Sequence, residues 1–70
     1  MNASLNWEAI YEVVLALKSQ YPQANLEEVT LGQIYDWTLA LPGFNDEPEL
    51  ANDDILLAIF QEWYEEINPI

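Results

Sequence analysis

Asn52-Asp53-Asp54-Ile55-Leu56-Leu57-Ala58-Ile59-Phe60-Gln61-Glu62-Trp63-Tyr64-Glu65-Glu66-Ile67 is the stretch that decides the fold. Leu56, Ile59, Phe60, Trp63 and Ile67 recur at intervals of three and four residues, which lines them along one stripe of an α-helix. Asn52 suits the N-cap, where its side-chain oxygen can accept from a free backbone N–H. Asp53 and Asp54 fall in the first turn, where the helix dipole favours carboxylates. Upstream lies PGFNDEPELAND, a polar loop holding two of the four prolines, in which Phe44 is expected to pin the segment to the core. Pro42-Gly43 ends a second helix, read from about Gly32 to Leu41 with Ile34, Trp37 and Leu41 inward. Val29-Thr30-Leu31, just before it, can form a brief extended stretch. The first helix is read from Trp7 to Tyr21, with Asn6 as N-cap, Pro22 as its stop, and Trp7, Ile10, Val14, Leu17 and Tyr21 along one face. The expectation is a mainly α, compact three-helix domain spanning residues 1–70, with at most a short extended segment and one Trp from each helix in a shared core.

Composition narrows the function. The 70 residues carry 13 acidic and one basic side chain, a formal charge of −12, yet 51% are hydrophobic and three Trp, four Tyr and two Phe are present. A disordered acidic tail lacks such residues because it cannot bury enough apolar surface to offset chain entropy. At this size a folded domain has little room for an enclosed pocket. With no Cys and no His there is no thiolate, imidazole base or zinc site of the usual kind, and no Gly-rich phosphate loop or Ser nucleophile motif is present. One cation, Lys18, cannot neutralise a row of phosphates, so nucleic acid and anionic membranes are excluded as direct partners. The longest apolar run, Ile55 to Phe60, is too short to span a bilayer, and the N-terminus has no leader pattern. A soluble, cytoplasmic monomer is the expectation, its partner a basic surface or a cation.

The charge is lopsided. Residues 1–35 hold four acids and Lys18, and residues 36–70 hold nine acids and no base. Asp54, Glu62 and Glu65 share a face of the third helix, with Glu66 next to Glu62 at i+4 and no Lys or Arg on that helix to relieve the repulsion. Such faces are often only solvated surface, but an unrelieved one suggests a basic partner. Tyr and Trp at helical spacing are mostly core; Tyr11 and Tyr64 are the aromatic candidates for an interface. The oxygen donors from Asn45 to Asp54 do not form a calcium loop, because Pro48 and the lack of Gly at the sixth position break the pattern. Glu62 and Glu66 lack the sheltered pocket that acid-base catalysis requires.

Leu5-Asn6-Trp7, Glu12-Val13-Val14-Leu15-Ala16-Leu17-Lys18-Ser19-Gln20-Tyr21-Pro22, Glu27-Glu28-Val29, Trp37, the run from Leu41 to Ile59, and Trp63 followed by Tyr64-Glu65-Glu66 together resemble the IscX family of small acidic iron-sulphur cluster assembly proteins. The resemblance extends from Leu5 to Glu66. It implies a compact helical domain resembling a winged helix, a non-catalytic adaptor role, a cysteine desulfurase as partner, competition with a frataxin-like protein, and Fe(II) bound weakly with no cofactor required. Carried onto this chain, the partner surface is Asp46, Glu47, Asp54, Glu62, Glu65 and Glu66, and the metal ligands are Asp46, Glu47, Glu65 and Glu66. Ala9, Gln23, Asn25 and the stretch from Thr30 to Gln33 depart from the family's pattern and thin its acidity near the first helix. A winged-helix scaffold ordinarily suggests DNA, but here the sign of the charge overrules the analogy. Two other readings compete: a ferrous-iron carrier using the same carboxylates, and an acidic mimic of nucleic acid docking on a basic protein.

Overall fold

The computed structural model describes residues 5–68, arranged as three helices: α1 (Ile10–Gln20), α2 (Leu31–Leu39) and α3 (Asp53–Ile67), with a single 3-10 turn at Pro48–Leu50. Helix α3 is the centre of the packing, touching α1 and α2 along its length. Leu56, Ile59 and Trp63 enter the core from it, as the sequence spacing requires; Phe60 is half-buried, and Ile67, expected inside, is exposed at the last residue of the helix. Asn52 caps α3 as expected, its Oδ1 accepting from the Ile55 N–H at 2.9 Å.

Helix α1 begins three residues later than the periodicity predicts. Asn6 Oδ1 accepts from the N–H groups of Glu8 and Ala9 at 2.9 and 3.0 Å, so it closes a turn around Trp7 instead of capping a helix there. Trp7 is held out of helical register by tertiary contacts: its ring meets Phe44 edge-on at 4.8 Å and stacks on Tyr35 at 6.1 Å. Val13 joins Val14 and Leu17 in the core, giving α1 a wider buried face because it packs against both other helices.

The extended contact is also elsewhere than expected. Thr30 is extended only as an N-cap must be: its hydroxyl accepts from Gln33 N–H while the Gln33 side chain accepts from Thr30 N–H, a capping box that starts α2 at Leu31. Among the described residues, the isolated bridge pairs Leu5 with Phe44 in parallel. Pro42-Gly43 makes that bridge possible. Phe44 N–H donates to Leu41 O across the pair, and Gly43 has φ +85°, the left-handed value a type II turn requires after Pro. The turn sends the chain back beside Leu5, whose N–H donates to Gly43 O at 3.0 Å and whose O accepts from Asn45 N–H at 2.8 Å.

The three Trp residues share one core as expected, Trp7 and Trp63 within it and Trp37 packed against it, and their ring contacts fall into two groups. Trp63 is buried and meets half-buried Trp37 edge-on at 6.2 Å, with Tyr21 stacked on Trp37 at 4.5 Å, whereas Trp7 belongs with Tyr35 and Phe44. Thr38 is fully buried on α2, and its hydroxyl has no hydrogen-bond partner among the described residues. A buried, unpartnered hydroxyl is destabilising relative to a methyl of the same shape. Thr38→Val should therefore raise stability by about 1 kcal/mol, read as a higher urea midpoint at unchanged slope; a lower midpoint would show that the hydroxyl is satisfied.

Candidate functional site

The six predicted partner residues fall into three places. Asp46 and Glu47 form the turn leading into Pro48. Asp54 is exposed in the first turn of α3, and Glu62, Glu65 and Glu66 occupy its last turns. Eleven residues separate Asp54 from Glu65, about 16 Å of helix rise, so they do not share a local site.

Asp46 is engaged in holding the fold. Its Oδ2 accepts from the Trp7 backbone N–H at 3.1 Å and its Oδ1 from the Glu47 N–H at 2.8 Å, while Trp7 Nε1 donates to Glu47 O at 2.8 Å. The acidic turn and the Trp7 turn thus grip one another through both backbone and ring. Glu47, by contrast, projects its side chain into solvent. Asp46→Ala should cost about 2 kcal/mol, since hydrogen bonds to a charged acceptor are the stronger kind. Glu47→Ala should change stability by less than about 0.5 kcal/mol. Paired urea melts separate the two roles; equal effects would contradict this division.

At the other end of α1, Lys18 Nζ reaches Glu66 Oε1 at 3.3 Å across the α1–α3 seam. The sequence-based expectation that nothing relieves the repulsion on α3 needs correction: tertiary packing brings the chain's one Lys to it. The pair is partly exposed, so it contributes little stability. Its larger effect is to occupy Glu66, leaving Glu62 and Glu65 without a cation of this kind among the described residues.

Glu62, Glu65, Glu66 and Asn68 line one open depression of about 400 Å³. This is the largest gathering of predicted site residues. Asp46 and Glu47 lie against Trp7, ahead of α1, whereas Glu66 meets Lys18 near the end of that helix, whose length is about 16 Å. The four carboxylates named as metal ligands are therefore divided between two ends. Among the described residues no group of three or more acidic side chains is arranged to hold a metal ion, the three lining the depression included. The donor set among the described residues does not fit a tightly held iron. No described helix is long and apolar enough to cross a membrane.

Both Tyr11 and Tyr64 are exposed, as an interface role requires. What periodicity passed over is the bond between Trp7 and the acidic turn. Its sequence signal was the position of Asn6, a residue as fit to close a turn as to cap a helix.

Residues 5–68 match the family described as iron-sulphur cluster assembly. An uncharacterized protein of Pseudomonas aeruginosa is 30% identical over 63 residues, which cover 90% of this chain and 96% of that protein. With nearly every described residue matched, from the Leu5 bridge to the end of α3, the chain belongs to the iron-sulphur cluster assembly family, the IscX family.

Proposed function

We propose that this protein is a non-catalytic adaptor of iron-sulphur cluster assembly that docks the C-terminal end of α3 on a basic patch of a cysteine desulfurase, where a frataxin-like protein competes for the same surface. Family membership supports the pathway, and the resemblance of the sequence to IscX proteins supports the partner. The observation that carries the reading is the place of the carboxylates. Glu65 and Glu66 stand in the last turn of α3 and Glu62 one turn earlier, where the helix carbonyls already present negative charge and a carboxylate is disfavoured. Stability alone selects Lys or Arg at such positions. Three acids kept there around one depression fit a surface shaped for a cationic partner. The absence of Cys and His from the sequence, and the openness of the depression to solvent, support the reading as non-catalytic.

Asp46 leaves the docking set in this reading, because its carboxylate is held by Trp7 and Glu47. Ferrous iron enters only as a cation drawn weakly to the acidic field. The test is a titration of purified cysteine desulfurase into the intact protein at low and high salt. Saturable binding that weakens steeply with salt and is displaced by a frataxin-like protein is expected. No saturable binding at low salt would overturn the partner, and binding to a DNA-binding protein in its place would turn the reading into nucleic-acid mimicry.

A further inference from the structure

Helix α3 carries a second apolar line that its own fold covers only in part, at Phe60. Leu57, Phe60, Tyr64 and Ile67 follow one another at intervals of three, four and three residues, the spacing with which one helix seats against another. Leu57 and Tyr64 are each one position beyond a buried residue of the inward stripe, Leu56 and Trp63, a rotation of about 100° that turns them to solvent, and Ile67 is exposed at the last residue of the helix. Their exposures are 45%, 42% and 42%. The rings of Phe60 and Tyr64 lie 6.3 Å apart, tilted by 38°, and with Gln61 and Glu65 they line an open depression of about 390 Å³. Single apolar residues on a surface need no explanation, but four at heptad spacing with a ring-lined groove between them form a docking face.

Charge decides what can cover it. Glu65 borders both this groove and the acidic depression of Glu62 and Glu66. A second copy packed here would bring two chains of net charge −12 together along their acidic edges, which like-charge repulsion opposes. A basic segment meets attraction at the same edge. We propose that the Leu57, Phe60, Tyr64 and Ile67 line receives an amphipathic helix of a basic partner, whose apolar side chains pack along the line while its Lys or Arg side chains reach Glu65 and the adjoining depression. This rests on the basic-partner reading above and adds the form of the contact. Two heptads make a small interface, so the complex is a transient one.

The test uses two synthetic peptides of equal charge, an amphipathic Leu/Lys helix and a plain oligolysine, titrated into the intact protein and followed by NMR. At low salt both should bind. At about 0.5 M salt, where the screening length is only about 4 Å, oligolysine should be released while the amphipathic helix stays bound, with the largest shifts at Leu57, Phe60, Tyr64 and Ile67. Leu57→Ser combined with Tyr64→Ser, both at exposed positions, should weaken the amphipathic helix at least about tenfold and leave low-salt oligolysine binding unchanged. Parallel release of both peptides, an unaffected double variant, shifts mapped elsewhere, or sedimentation of the free protein as a dimer with this line protected would each overturn the proposal. Failure of oligolysine to bind at low salt would instead remove the basic-partner reading itself.

Discussion

Trp63→Ala should leave most of the protein unfolded at room temperature or lower its melting midpoint by at least about 15 °C. Trp63 is almost wholly buried, closes the core between α3 and α2, and holds Trp37 edge-on. Truncating a buried Trp costs about 3–5 kcal/mol, through lost transfer free energy and the cavity left behind. A domain of this length holds only about 4–10 kcal/mol in total, and small domains lie towards the lower end. Circular dichroism during urea and thermal melts checks this. Leu57→Ala, an exposed position on the same helix, is the control and should melt within about 0.5 kcal/mol of the parent. A midpoint for Trp63→Ala within a few degrees of the parent would contradict its place in the core.

The second large effect is on binding. Glu62→Lys together with Glu65→Lys should weaken the proposed docking on a cysteine desulfurase by about two orders of magnitude at low salt, with the loss shrinking as salt rises. Both residues line the acidic depression, and neither is the partner of Lys18. The same pair should hold or slightly raise the melting midpoint, because a cation near a helix C-terminus interacts favourably with the dipole where a carboxylate does not. Opposite signs for stability and affinity identify a surface kept for a partner. A variant that loses affinity only because it loses structure would show both falling together. Unchanged affinity with an intact fold would place docking elsewhere.

Helices α2 and α3 were legible from local chemistry. Asn52 with Asp53 and Asp54 announces the start of α3, and Pro42-Gly43 marks the turn that follows α2, whose last residue, Leu39, falls two short of the expected Leu41. The Thr30-Leu31-Gly32-Gln33 capping box was equally local, and its N-cap, Thr30, has the extended backbone that the reading spread over Val29 to Leu31. Trp7 could not be read in this way. Its periodic spacing agrees with α1, but its hydrogen-bond partners lie 39 and 40 residues away, and no window along the chain contains them. The candidate site divides on the same principle. Helical spacing predicted that Glu62, Glu65 and Glu66 would be neighbours, whereas the Lys18–Glu66 pair and the structural use of Asp46 depend on which helices pack together.

The grip between Trp7 and the acidic turn also orders the steps by which the chain folds. Closing a loop of 40 residues costs roughly 3 kcal/mol in chain entropy, and the Leu5 bridge, the Trp7 ring and the Asp46 carboxylate recover it only once α1, α2 and the Pro42-Gly43 turn are in place. The N-terminal segment is therefore expected to dock last and release first. Its amides at Leu5 and Trp7 should exchange with solvent through a local opening that leaves the α1–α3 contact shut, well ahead of the amides around Leu17 and Ile59. Trp7, alone among the three indoles, is then a reporter of that opening, while Trp63 reports only global unfolding.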